Sequence, residues 1–224
     1  MERFDWREDT APIEVHEHGP RFFLGVGWML PKKQGPLLAY RGELYGGSVT
    51  YDGALLFAPA TPATGSTTYL GTTQAVQGRW RWPEVVDAVV GLEYEAWERR
   101  LSETQEETFK IVSLRLGAEH LASDRHPFTA GGGVRVMLAA REETTVPFAG
   151  RTLVIDLEPE PGSNLYLQAG YRVAPHVTLL GYWDGMRLGR SNTVTLVIPP
   201  STTVQTWQPA SDMWRLGIRV AYRW

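Results

Sequence analysis

The chain has 224 residues, with 22 Lys and Arg against 25 Asp and Glu, and no cysteine. A net charge of −3 is too even for a nucleic-acid partner, and the missing thiols exclude a disulfide framework and thiolate metal sites. No run approaches the roughly 18 apolar residues of a transmembrane helix; a mean hydropathy of −0.24 still leaves a membrane barrel open, because half of each barrel strand faces a polar lumen.

The start, "MERFDWRED", has neither a basic segment nor an apolar core. In an exported protein Met1 then stands where a signal peptide has been removed. "RFDWRE" is the first candidate strand, with Phe4 and Trp6 facing outward and "DTAPIEVHEHG" as the loop after it. His16 and His18 in that loop form an HxH beside Glu14 and Glu17, a spacing that can hold a metal. A solvated loop is the simpler reading, and neither metal nor cofactor is assigned.

Strict alternation follows, and period two puts alternate residues on opposite faces of a strand. "RFFLGVGWML" turns Phe22, Leu24, Val26, Trp28 and Leu30 one way. "LLAYRGELYGG" sets Leu38, Tyr40 and Leu44 against Arg41, Glu43 and Tyr45. "TTYLGTTQAVQGRWRW" sets Val76, Trp80 and Trp82 against Gln77, Arg79 and Arg81. "VVDAVVGLEYEAWERR" sets Val90, Leu92 and Tyr94 against Glu93 and Glu95. "TFKIVSLRLGAEHL" sets Val112, Leu114 and Leu116 against Arg115 and Glu119. "FTAGGGVRVMLAAR" sets Phe128, Val134, Val136 and Leu138 against Thr129, Arg135 and Arg141. "NLYLQAGYRV" sets Leu165, Leu167 and Tyr171 against Arg172, and "HVTLLGYWDGMRLGRS" sets Leu179 and Trp183 against Tyr182 and Asp184. The last segment, "MWRLGIRVAYRW", sets Trp214, Leu216, Ile218, Val220, Tyr222 and Trp224 against Arg215, Arg219 and Arg223.

No long 3.6-residue stripe competes with this pattern. It predicts one all-β domain over 1–224, an antiparallel up-and-down transmembrane barrel of about ten strands, eight or twelve being the neighbouring numbers. Connections alternate between short ("PKKQGP", "PEV", "ASDRHP", "VAPH") and long, as periplasmic turns and extracellular loops do. Trp28, Trp80, Trp82, Phe128, Tyr222 and Trp224 fall at the short-turn ends, and Tyr94, Trp183 and Trp214 toward the other ends. Two aromatic belts are membrane-interface anchors.

The interior then receives Arg41, Glu43, Glu93, Glu95, Arg115, Glu119, Arg135, Arg172, Asp184, Arg215, Arg219 and Arg223. Unpaired buried charge is costly, so these are expected to pair into a network that plugs the lumen and leaves a structural or interaction role. A narrow channel for small solutes is the alternative. So is an enzyme acting on lipid or peptide, although Glu93 and Glu95 fit an ion-pair network better than acid–base work. His120, His126 and His176 sit at the short-turn side, and no nucleophile–base pairing singles out a serine. A soluble ligand-binding β-barrel would invert both faces. "TVTLVIPPSTTVQTWQ" reads as a projecting hairpin, a lid over the mouth or a contact for a partner. "TTVPFAGRTLVIDLE" is similar, with a break expected at "EPEPGS".

The alternation that closes on a terminal aromatic resembles the C-terminal assembly signal of Gram-negative outer-membrane proteins. "YRGELYGGSVTYDG" and "VVGLEYEAWERRL" resemble segments of a widespread, functionally uncharacterised outer-membrane β-barrel family. The resemblance implies an integral, porin-like protein of the cell outer membrane. It also implies contact with outer-membrane lipids and lipopolysaccharide, and with the barrel-assembly machinery through the last strand. It implies no activity.

Overall fold

A computed structural model describes residues 1–30, 37–55, 58–81, 86–122, 126–148, 151–198 and 202–222. Its strands are β1 (Glu2–Glu8), β2 (Val15–Leu30), β3 (Leu37–Leu55), β4 (Ala58–Arg81), β5 (Asp87–Arg100), β6 (Glu106–His120) and β7 (Phe128–Phe148). After them come β8 (Arg151–Leu157), β9 (Pro159–Pro161), β10 (Ser163–Ala174), β11 (Val177–Ser191), β12 (Val194–Ile198), β13 (Thr202–Thr206) and β14 (Ser211–Tyr222).

Ten of these close into a barrel in the order β1 to β7, then β10, β11 and β14, which pairs back with β1. Every pair is antiparallel; at the seam Phe4 meets Arg215, and Tyr171 meets Phe128 where β10 joins β7. Closure leaves the paired strands no free edge. β1 covers only part of the wall's height: its register ends at Glu2, opposite Arg21 and Gly217, while β2 and β14 run on beyond it.

The period-two pattern sorts the wall. Leu24 on β2 is 78% exposed and Ile218 on β14 is 62% exposed, and Leu44, Leu70, Leu92, Leu138 and Leu167 share that outer belt. The alternate residues are buried. Part of the interior is apolar: Phe4, Trp6, Tyr45, Tyr69, Trp97, Phe109, Ile111 and Met186 form one cluster. Trp97 stacks on Phe109 with centroids 4.9 Å apart, and Trp6 meets both rings edge-on. Gly71 makes room for this packing, since a Cβ there would stand 2.5 Å from the Tyr45 ring and 2.7 Å from Trp97 Cβ.

Three expectations need correction. Phe4 and Trp6 point inward and are fully buried. At this height the lumen needs large rings to fill it, and the charged Arg3 and Arg7 take the outer face instead. His16 and His18 are strand residues, because β2 already begins at Val15. Arg141 faces outward: Ser113 pairs with Met137 but Val112 pairs with Ala139. That bulge shifts the phase of β7, so Ala140, Glu142 and Thr144 are buried above it.

The long connections are largely strand as well. β3 and β4 stay paired up to Ala54 and Pro62, and β8 continues from β7 through Val146–Leu153. The β12–β13 hairpin forms its own sheet, with Val194 and Leu196 packed on a small core of Val146, Ile155 and Leu157.

Filling the lumen with rings makes Trp6 a structural centre. Trp6→Ala is expected to lower stability by about 3–5 kcal/mol, more than Leu24→Ala on the outer face, which opens no cavity in the packed interior. Urea unfolding of the refolded protein, read by tryptophan fluorescence, compares the two.

Candidate functional site

The interior is built in layers from inward positions of every barrel strand. Nearest the short turns, Arg79 on β4 pairs with Glu119 on β6 and lies 3.9 Å from Asp87 on β5. The middle layer spans the lumen. Glu93 accepts from Arg115 at 2.8 Å and Arg41 at 3.2 Å, and also pairs with Arg135. Glu95 accepts from Arg215 at 2.8 Å and from the Tyr45 hydroxyl at 2.9 Å. Asp184 takes Arg135 at 2.9 Å and Arg215 at 3.2 Å. Glu43 pairs with Arg219 at 2.6 Å. Charge-assisted bonds of this kind are the stronger class, and here they tie β3, β5, β6, β7, β11 and β14 together across the barrel.

A small open pocket adjoins this layer, lined by Phe23, Arg41, Glu43, Tyr182, Asp184 and Arg219 among others. The Arg219 guanidinium lies over both the Phe23 and Tyr182 rings, at 5.3 and 4.8 Å. The aromatic cluster of Phe4, Trp6, Tyr69, Trp97 and Phe109 packs beyond it.

Two further charged groups were not singled out from sequence. Arg21 is buried among Phe4, Tyr45 and Tyr69, its guanidinium carbon 3.9 Å from the Phe4 ring centre, and pairs with Glu2 at 2.6 Å. Past the aromatic layer, Arg99 binds Glu8 at 2.6 Å, Glu17 at 2.7 Å and Glu107 at 2.8 Å. Glu17 is wholly buried and also accepts from Thr67 and Tyr69. Glu142 joins this group through the bulge; its Oε1 accepts from Thr144 and its buried Oε2 has no hydrogen-bond partner. The alternation of "EAWERR" and "VHEHG" does carry Arg99 and Glu17, but reading "VHEHG" as loop concealed the pairing.

Of the sequence-derived interior set, Glu93, Glu95, Arg115, Glu119, Arg135, Asp184 and Arg215 are buried, and Arg41, Glu43, Arg172 and Arg219 are partly buried. Arg172 sits toward the short turns, its backbone N–H donating to Pro127. Arg223 lies outside the described residues, as do Trp82 and Trp224. Trp28, Trp80, Phe128 and Tyr222 are exposed next to the short turns, Trp28 stacking on Tyr40. Tyr94 and Trp183 lie near mid-strand and only Trp214 near a strand's loop end, because the strands continue well past the apolar belt.

The HxH spacing does not gather a ligand set. Glu17 points into the lumen, while His16 stacks on His18 and its Nε2 lies 3.0 Å from Asp5 Oδ2. His120 and His126 approach one another at the short-turn end, with centroids 6.3 Å apart, and His176 approaches Tyr222.

No protein-family model matches the chain, and no curated protein sequence matches it. Among solved structures it is similar to the outer-membrane protease OmpT from Escherichia coli, with 12% identity, a TM-score of 0.49 and coverage of 98% of this chain and 91% of that one. It is also similar to the translocator domain of the autotransporter NalP from Neisseria meningitidis, at 11% identity and TM-score 0.39, covering 100% and 86%. Neither neighbour's activity carries over to this chain at such identities.

Glu107 and Glu142 lie beyond the height at which the outer face turns polar at Lys110 and Arg141. Burial, opposed by Arg99 and reinforced by Glu8 and Glu17, pushes the Glu107 carboxyl up to about 7. Burial, with Glu107 beside it, holds Glu142 well above the carboxylate range. A raised carboxyl pKa favours folding while the group is protonated, so stability is full below about pH 4.5 and falls as pH rises through 7. For Glu107 the loss is of order 3 kcal/mol. Urea midpoints measured from pH 5 to pH 8 are expected to fall, and Glu107→Gln to fall less and to exceed wild type at pH 8.

Arg99 neutralises three carboxylates at once. Arg99→Met leaves them buried without a cation and is expected to cost about 3–5 kcal/mol at neutral pH, in the same unfolding experiment.

Proposed function

We propose that the chain is an integral outer-membrane β-barrel whose lumen is plugged, with a structural or interaction role rather than transport. The observation that carries this reading is the inversion of the two faces. A leucine-rich belt runs round the outside, while guanidinium–carboxylate pairs and packed rings fill the inside. Such a belt suits acyl chains, and a filled interior of about ten strands leaves no continuous water path. Trp28, Trp80, Phe128 and Tyr222 then anchor one membrane interface, and Tyr94, Trp183 and Trp214 the other.

On this reading the short turns face the periplasm and the extended hairpins face the outside of a Gram-negative cell. The last strand engages the barrel-assembly machinery, and lipid and lipopolysaccharide surround the belt. The β12–β13 hairpin, resting on the β7–β8 extension, serves as a lid over the outer mouth. Its exposed Val197 and Trp207 offer the loop side to a partner.

The small pocket beside the ion-pair layer favours a second reading, a narrow passage for small solutes, if the aromatic layer opens. Planar-bilayer recording separates the two. The refolded monomer is expected to show no steady current, and Trp6→Gly with Trp97→Gly to open one. Sustained single-channel conductance in the wild type would reject the plug.

A further inference from the structure

Like charges directly opposite one another across a strand pair are destabilising, and the wall carries such a pair. Lys110 on β6 is the register partner of Arg141 on β7. Both side chains are exposed on the outer face, and among the described residues neither makes a side-chain hydrogen bond or ion pair. The contrast with Arg100 is direct: that exposed cation is held by Glu98 at 2.6 Å and Glu106 at 3.1 Å. The acidic groups on the outer face around the pair are Glu98 on β5, taken up by Arg100, Glu143 next outward on β7, its register partner Asp156 on β8, and Glu158 beyond the end of β8. None of them closes on it.

The pair also sits at a defined height. Val112, Tyr94 and Ala139 pair side by side across β5, β6 and β7, one pleat step toward the short turns. Below them the face is Leu92, Leu114, Leu116 and Leu138, and above them it is polar. The bulge at Val112/Ser113 is what creates the arrangement: without the extra residue Arg141 would point into the lumen and Glu142 outward. Bulges re-aim side chains in this way.

Resting on the membrane reading, we infer that Lys110 and Arg141 form a clamp for the phosphate of a net-anionic phospholipid headgroup, one with no cation of its own, at the outer rim of the belt. Guanidinium and ammonium groups both bind phosphate, the first bidentately, and Tyr94 supplies the ring that favours the headgroup level. The acyl chains of the same lipid would lie against Leu114, Leu116 and Leu138. A free phosphate would gain only the charge contact, whereas a lipid gains the apolar one as well, so the occupant is a lipid.

The test uses the full chain refolded into phosphatidylcholine vesicles containing a minority of phosphatidylglycerol, then released for native mass spectrometry. The wild type is expected to retain phosphatidylglycerol over phosphatidylcholine, and Lys110→Gln/Arg141→Gln to lose about tenfold of that preference. Lys110→Arg keeps the preference. Equal retention by wild type and the double variant, with both inserted, overturns the clamp and leaves the membrane reading standing. Displacement of the lipid by millimolar inorganic phosphate overturns the lipid assignment. A chain that never partitions into vesicles overturns both.

Discussion

Everything in this barrel depends on pairing charge inside a closed wall. A guanidinium or carboxylate held away from water without a partner costs several kcal/mol, so the inward positions are acceptable only as a set. Glu93, Glu95 and Asp184 each meet more than one arginine, drawn from strands far apart in sequence; Arg215 and Glu95 are separated by 120 residues. One consequence is register. A slip of one residue on any of these strands would move its charge to the outer face and leave its partners orphaned. The energetic value of such a network is modest beside a packed apolar core, and the aromatic cluster of Phe4, Trp6, Trp97 and Phe109 supplies that core next to it.

The same constraint explains the layering. Where the wall is belted by leucine, the lumen is ionic and nearly balanced. Where the outer face becomes polar, the lumen first fills with rings and then gathers Glu8, Glu17, Glu107 and Glu142 near Arg99. The surplus of carboxylates there goes with carboxyls that burial and mutual repulsion push up, Glu107 and Glu142. Charge is thus offset by several arginines in one part of the lumen, and in the other by Arg99 together with carboxyls that hold their protons more tightly than usual.

Much of this was legible in sequence because β-strands report their faces with period two. Wherever one face was leucine or tryptophan and the other arginine or glutamate, as in "LRL" around Arg115 or "RLGIRV" around Arg215 and Arg219, the direction of each side chain could be read. The pattern failed where its premise failed. In "RFDWRE" charged and aromatic residues interleave outside the apolar belt, so hydrophobicity no longer means outward, and Phe4 and Trp6 face in. At the bulge one inserted residue reversed the phase of β7 without any local composition signal, which turned Arg141 out and Glu142 in. Polar hairpin strands such as Pro62–Ser66 carry turn-like composition yet stay paired, because the β3–β4 ladder continues past the belt.

The inversion of apolar outside and ionic inside is tested most directly by nitroxide labels at single positions in the vesicle-bound protein. Labels at Leu24, Leu92 and Leu216 are expected to collide strongly with oxygen dissolved in the bilayer and weakly with a water-soluble nickel chelate. Labels at Ser113 and Thr73 should be shielded from both. Strong relaxation by the nickel chelate at Leu24, Leu92 and Leu216 would contradict the account, since those side chains would then face water.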